Sequence, residues 1–179
     1  MSVVIDGTNG VSSPDFEVDG VTGQLYPIVS GTAVTTTGVA SVDFTGIPSW
    51  VKRITVMFNG LSFNGTSIPM IQLGDAGGVE ITGYAGSAWI ANTTNTAMSS
   101  GFLISGASDG SYIFSGTVII TLVGANAWTA FGNVSLINTP AVTVMSGAKT
   151  LSATLDRVRI TTVGGLNTID AGTINILYE

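Results

Sequence analysis

Two carboxylates in one short stretch of the chain have the residue types and the spacing for acid–base chemistry. Asp75 and Glu80 flank the sequence GDAGGVE, whose glycines indicate a tight turn between two strands. Carboxylates that face each other across such a hairpin would lie about 5–9 Å apart, the separation that glycoside hydrolases use. The pattern favours the simpler alternative of a solvated turn aspartate and an outward-facing strand glutamate. We therefore predict no catalytic residues and no enzyme activity.

Other patterns of catalysis and cofactor binding are missing from the sequence. The chain has no histidine and no cysteine, so the commonest general base, the commonest transition-metal ligand and all thiolate sites are excluded. GDAGG is followed by neither a helix nor Lys-Ser/Thr, and is therefore not a phosphate loop. Asp15, Glu17 and Asp19 alternate as calcium-binding oxygens would on one strand, but solvated charge on an edge strand is the simpler interpretation. We predict no metal and no cofactor.

One segment combines aromatic rings with amides and hydroxyls, as carbohydrate sites do. Residues 83–101 are small and polar and interrupt the alternating pattern of the chain. They are interpreted either as a long functional loop or as two short irregular edge strands. Trp89 would serve as a platform on which a sugar stacks, or would pack against a neighbouring subunit. The candidate ligand-binding residues are Tyr84, Trp89, Asn92, Thr93 and Asn95.

Apolar residues alternate with a period of two almost everywhere, which predicts strands. In the strand predicted at 51–58, one face is the better candidate for the core. It carries Lys52, Ile54, Val56 and Phe58. Val158 and Ile160 are expected to point inward too. FSGTVIITLVG and WTAFGNVSLIN are predicted to be central strands, and Trp50 and Trp128 are predicted to plug the core. The expected fold is all-β: an antiparallel β-sandwich of jelly-roll-like type.

The composition restricts the partners. Charged residues make up 9% of the chain, against about 25% in an ordinary soluble domain. The net charge is −6 and the five basic residues are scattered, which argues against nucleic acid as a partner. The longest apolar run, 118–125, is much shorter than the roughly 20 residues of a membrane helix, and we expect no secretory signal. We expect no membrane insertion.

The chain is expected to have two parts. Residues 1–30 hold short strand-like pieces between turns, with little apolar mass, and are predicted to form an attachment or intertwining arm. Residues 31–179 are predicted to form the sandwich. Because the arm buries little surface alone, its backbone groups would pair with another copy or another protein. The predicted anchor residues are Val3, Val4, Ile5, Val11 and Phe16.

Three stretches resemble virion proteins of tailed bacteriophages, of the fibre or knob type. They are the opening VVIDGTNGVSSPD, the segment FTGIPSWVKRITVMFNGLS followed by IQLGDAGG, and the ending DAGTINILYE. Together they cover about a third of the chain. The resemblance implies a virion component, commonly a homotrimer with a β-sandwich knob. The sequence differs from long tail fibres in having no stalk, no coiled coil and no collagen-like repeat.

The resemblance does not assign the protein to tail or capsid, and our leading hypothesis is a small tail fibre or tail-tip protein that contributes to host-surface recognition. A capsid decoration protein or head fibre is the alternative, and a capsule-degrading tailspike that uses Asp75 and Glu80 is a third. The expected location is the virion, assembled in a bacterial cytoplasm. The expected partners are further copies of the chain, other virion proteins that contact the arm, and a glycan of the host surface.

Overall fold

The computed structural model describes residues 27–35, 37–91 and 95–179, together with the backbone of four short strands before them. These four strands form two antiparallel hairpins, β1 (Val4–Asp6) with β2 (Gly10–Ser12) and β3 (Phe16–Val18) with β4 (Val21–Gly23). The predicted anchor residues within these strands are Val4, Ile5, Val11 and Phe16, and Glu17 lies in β3 as well. Outside the described residues lie Val3, Asp15 and Asp19.

In the rest of the described chain the regular secondary structure is strand, apart from one turn of 3-10 helix at Val163–Gly165. In chain order the strands are β5 (Val29–Ser30), β6 (Val34–Thr35), β7 (Ser41–Thr45), β8 (Arg53–Phe63), β9 (Pro69–Asp75), β10 (Gly78–Val79), β11 (Tyr84–Ile90), β12 (Asn95–Ala97), β13 (Phe102–Leu103), β14 (Phe114–Gly124), β15 (Ala127–Leu136), β16 (Ala141–Thr150), β17 (Leu155–Thr162) and β18 (Ile169–Tyr178). Within the part of the chain that the structure describes, no helix is long and apolar enough to cross a membrane.

Two antiparallel sheets pack against each other, which confirms the predicted all-β sandwich. The larger sheet has nine strands in the order β12-β11-β16-β15-β14-β8-β18-β5, with β6 also paired to β18. The smaller sheet has five strands in the order β10-β9-β17-β7, with β13 paired to β9. The strands predicted to be central, β14 and β15, lie in the middle of the larger sheet.

The core lies between the two sheets, and it contains five of the side chains that alternation in the sequence assigned to it. Ile54, Val56 and Phe58 are buried on the inner side of β8, and Val158 and Ile160 are buried in β17. Each such side chain contributes about 1.5–3 kcal/mol by leaving water. The two predicted inner faces are therefore confirmed for these five residues.

Lys52 corrects the same prediction, because its side chain is exposed rather than facing the core. The alternation holds only inside a strand, and β8 begins one residue later, at Arg53. The backbone N–H of Lys52 instead donates to the carbonyl oxygen of Glu179 at 2.7 Å. This contact fixes the entry to β8 and leaves the ammonium group outside the core.

The sandwich begins slightly earlier than the predicted boundary at residue 31. Ser30 pairs with Leu177 and Val29 with Tyr178, so β5 belongs to the larger sheet. The N–H of Gly31 continues the pairing by donating to the carbonyl oxygen of Ile176 at 2.8 Å. Residues 29 and 30, which were assigned to the arm, are therefore part of the sheet edge.

Candidate functional site

The segment 83–101 contains an edge hairpin of the larger sheet, so the edge strands are the observed alternative and the long loop is not. Seven residues of β11 pair with β16, and three pair with β12 on its other side. Gly86 and Gly147 face each other across the β11–β16 ladder. Gly86 has φ 141°, and a Cβ there would lie 2.3 Å from the carbonyl oxygen of Ser146. The small residues of this segment thus permit close approach of two strands.

Alternation along β11 places Tyr84 and Trp89 on opposite faces of the sheet, which corrects the prediction that both belong to one ligand-binding site. Tyr84 is 4% exposed. Its hydroxyl accepts from the N–H of Leu73 at 2.7 Å and donates to the carbonyl oxygen of Glu80 at 3.0 Å. Burial raises the pKa of Tyr84 well above its ordinary value. Tyr84 is therefore a core residue, whereas Trp89 is 44% exposed on the outer side.

Of the polar residues predicted beside Trp89, one lies within the part of the chain that the structure describes. Asn95 is exposed in β12 and pairs directly with Trp89 across the hairpin. Asn92 and Thr93 lie outside the described residues. Trp89 and Asn95 are thus the two members of the predicted site that the structure brings together.

Trp89 belongs to a wider surface that we name the outer face: the outward-pointing side chains of β11, β15 and β16. Its exposed large apolar members are Trp89, Phe131, Val142 and Val144. Val144 lies between Trp89 on β11 and Asn133 on β15 in the strand ladder. The other members are alanine, serine, threonine and asparagine, so the outer face carries no charge.

An apolar surface of this kind is typical of a contact with another molecule. Protein interfaces are enriched in aromatic residues and depleted of charge at their centre, and exposed apolar patches on soluble proteins mark binding sites. The signal in the sequence is the pair Val142 and Val144, two positions apart in one strand, beside Phe131 in the strand before it. Alternation groups this pair with Trp89 once residues 84–90 are assigned as a strand.

Asp75 and Glu80 lie elsewhere, in a cluster that we name the clasp: Asp75, Glu80, Lys149 and Ser152. Asp75 ends β9 of the smaller sheet, and Lys149 lies on the inner side of β16 in the larger sheet. The Ser152 hydroxyl lies 2.7 Å from Asp75 Oδ2 and 2.8 Å from Glu80 Oε1. Lys149 Nζ forms an ion pair with Glu80 Oε2. The clasp therefore links the two sheets.

Every polar group of the clasp has a partner. The N–H of Gly77 donates to Asp75 Oδ1, and the N–H of Ser152 donates to Glu80 Oε1, each at 2.7 Å. Lys149 Nζ also donates to the carbonyl oxygen of Thr150 at 2.9 Å. The side chain of Lys149 is only 4% exposed. A buried ammonium group is tolerated because its counter-ion and hydrogen bonds replace water.

The hydrogen bonds keep both carboxylates ionised. The Ser152 hydroxyl, and then the N–H of Gly77, hold the pKa of Asp75 below its ordinary value. Burial acts to raise the pKa of Glu80, but the bonds from Lys149 and Ser152 outweigh burial and lower it. A glycosidase acid needs the opposite, a raised pKa that retains a proton at neutral pH. This geometry supports a structural role for the clasp rather than acid–base catalysis.

The two remaining tryptophans differ, because Trp128 lies in the core as predicted, whereas Trp50 packs against the core and is only partly buried. Trp128 is 3% exposed and belongs to the core. Trp50 is partly buried, and its ring centroid lies 6.0 Å from that of Tyr178. Among the residues that the structure describes, no group of three or more acidic side chains could hold a metal ion.

Comparisons with protein families, with curated proteins and with solved structures give no match. Function is therefore argued from the residues, their geometry and the sequence resemblance alone.

Proposed function

We propose that the chain is a structural protein of a bacteriophage virion, a small tail fibre or tail-tip protein that contributes to host-surface recognition. The observation that carries this proposal is the uncharged outer face, with Trp89 exposed at its edge beside Asn95. The sequence resemblance to phage fibre and knob proteins supplies the biological setting. The outer face is the part of the described surface best suited to bind a partner.

The chemistry of the outer face suits two kinds of contact. An exposed indole stacks on the apolar face of a sugar ring while a neighbouring amide such as Asn95 donates hydrogen bonds. Phe131, Val142 and Val144 provide the apolar area that a second copy of the chain would cover. In a homotrimer three weak sugar contacts would act together, so that firm attachment needs no strong single site.

A capsid decoration protein or head fibre is the second candidate. The breadth of the outer face favours it, because three adjacent long strands present their uncharged side chains on one surface. Such a surface would clamp onto a shell as readily as it would contact a receptor. The tailspike alternative is not proposed, because the carboxylates of Asp75 and Glu80 are engaged in the clasp.

Competition for adsorption tests host recognition. Purified full-length protein is added to host cells before the phage that encodes it, and unadsorbed phage is counted. We expect the unmodified protein to reduce adsorption and Trp89→Ala to lose most of this effect. Ile28→Ala, at an exposed apolar residue beside β5 at the opposite edge of the larger sheet, is the matched control and should compete fully.

Light scattering on the same samples separates the two uses of Trp89. If Trp89→Ala keeps the oligomeric mass of the unmodified protein but loses competition, the side chain contacts the receptor. If the mass falls, Trp89 packs between copies. A folded, unmodified protein that never competes at saturating concentration would contradict the proposed host recognition.

A further inference from the structure

A pocket of about 210 Å³ opens at the end of the sandwich where β14 turns into β15. Its walls include the apolar side chains of Val51, Leu122 and Leu155, and its polar lining residues are Ser49, Lys52, Asn126, Trp128 and Thr154. Within the part of the chain that the structure describes, no acidic side chain lines the pocket. The lining therefore combines an apolar wall with polar groups that include hydrogen-bond donors.

Trp128 brings to this pocket a donor that lacks an acceptor. Trp128 is only 3% exposed. Within the described chain its indole N–H has no hydrogen-bond partner. Buried polar groups in folded proteins almost always have partners, and an indole N–H can only donate. The indole nitrogen is covered by surrounding atoms, so an oxygen in the pocket would supply the missing acceptor once the side chains that cover it move aside.

Lys52 brings a cation without a counter-ion. The chain has five basic residues, and four of them form ion pairs. These pairs are Arg53–Glu179, Lys149–Glu80, Arg157–Asp156 and Arg159–Asp43. Lys52 is exposed, and no acidic side chain of the described residues pairs with it. In a protein of net charge −6, its ammonium group is the basic group left available to an external anion.

We propose that this pocket binds the carboxylate-bearing ring of an acidic sugar. The carboxylate would accept from the Lys52 ammonium group in a charge-assisted hydrogen bond. A ring or hydroxyl oxygen would accept from the indole N–H of Trp128. The hydroxyls of Ser49 and Thr154 and the amide of Asn126 match the remaining sugar hydroxyls, and the apolar wall matches the C–H face of the ring.

The size of the pocket limits the ligand to a single residue. Drug-sized ligands occupy pockets of about 300–1,000 Å³, whereas this one measures about 210 Å³. One monosaccharide unit at the end or side of a longer chain fits that limit. The site is distinct from the outer face, and the binding assay below does not depend on where the protein resides, so this inference and the proposed function can fail separately.

Nuclear magnetic resonance of the full-length protein tests the site directly. The chain has three tryptophans, so its ¹⁵N–¹H spectrum contains three indole signals, and Trp128→Phe identifies the one that belongs to Trp128. Sodium D-glucuronate is the probe. We expect it to shift the Trp128 indole signal in a saturable manner, and D-glucose, which lacks the carboxylate, to bind at least about tenfold more weakly.

Two substitutions serve as a matched pair. Lys52→Gln should weaken glucuronate binding by about tenfold or more, since it removes the charge of the hydrogen bond. Arg53→Gln removes the adjacent cation, which already pairs with Glu179, and should leave the affinity unchanged. Equal losses in both variants would show a general charge effect and overturn the assignment to Lys52.

Acetate and inorganic phosphate distinguish the sugar from a simple anion. If either binds as tightly as glucuronate, the sugar ring contributes nothing and the proposal is wrong. It is wrong as well if glucuronate up to tens of millimolar leaves the Trp128 signal in place, because a buried water would then be the sole acceptor for the indole. A saturable shift that is specific for glucuronate and sensitive to Lys52 supports the site.

Discussion

The two lysines of the chain lie in neighbouring regions at one end of the sandwich, yet their surroundings are opposite. Trp128 of the pocket pairs with Lys149 of the clasp in the β15–β16 ladder, and Leu155 of the pocket pairs with Asp75. Lys149 is 5% exposed, pairs with Glu80 and lies 5.5 Å from the centroid of the Tyr84 ring. Lys52 is exposed and has no ion pair among the described residues.

The difference separates structural polar clusters from candidate binding sites. In the clasp the carboxylates, the ammonium group and the hydroxyl satisfy one another, so a ligand would have to break existing bonds. In the pocket the ammonium group of Lys52 and the indole N–H of Trp128 lack partners, so a ligand would complete the bonding. Each region contains a lysine, and the two regions differ in whether the ammonium group has a partner within the protein.

The largest expected loss of stability comes from a substitution that breaks the clasp. Glu80→Gln removes the counter-ion of a lysine whose side chain is 4% exposed. Loss of one partner from a buried pair costs about 3–5 kcal/mol, and because the Glu80 side chain is 22% exposed we expect about 2–3 kcal/mol. Urea denaturation measures this loss in the free energy of unfolding. Glu179→Gln, at the exposed pair with Arg53, is the control and should cost less than about 1 kcal/mol.

The next largest effect is the difference in stability between variants that carry the same substitution at one or the other lysine. Lys149→Gln should lower the free energy of unfolding by about 1–2 kcal/mol, less than Glu80→Gln, because the carboxylate left behind is reached by water. Lys52→Gln should change it by no more than about 0.5 kcal/mol, as an exposed side chain without partners. Similar losses for the two variants in urea denaturation would remove the distinction between clasp and pocket.

The smallest expected effect is a change in how the free energy of unfolding depends on pH. Because the pKa values of Asp75 and Glu80 are lowered in the folded protein, these groups stabilise it above their ordinary values of 3.8 and 4.5. This stability is lost as the pH falls through the lowered values. Ser152→Ala removes the largest cause of the shift at Asp75, so its destabilising effect should be greatest near pH 7 and shrink towards pH 3. A penalty that is independent of pH, measured by urea denaturation at several pH values, would contradict this assignment.

Local alternation predicted much of the fold. Side chains two positions apart share a face of a strand, which is why Ile54, Val56, Val158 and Ile160 were placed correctly from the sequence. The same rule explains the error at Tyr84 and Trp89: positions five apart in one strand must lie on opposite faces. The sequence of this segment does not distinguish a loop from edge strands, because its small polar residues carry little of the strand signal.

The clasp and the pocket could not be predicted, because they depend on strand register. Glu80 meets Lys149 and Ser152, which lie 69 and 72 residues further along the chain. Lys52, which immediately precedes β8, and Trp128 of β15 line one pocket, although β14 separates these two strands in the larger sheet. The sequence identified Trp128 as a core residue but could not show that its indole N–H lacks an acceptor.

Immunogold labelling of intact virions with an antibody against the sandwich tests the proposed function most directly. We expect gold at the tail end of the particle, as a tail fibre or tail-tip protein requires. Gold over the head would favour the decoration protein or head fibre instead. As a control, the antibody must detect the purified protein. If it does, and particles of the phage that encodes the chain still carry no gold, a virion role is contradicted altogether.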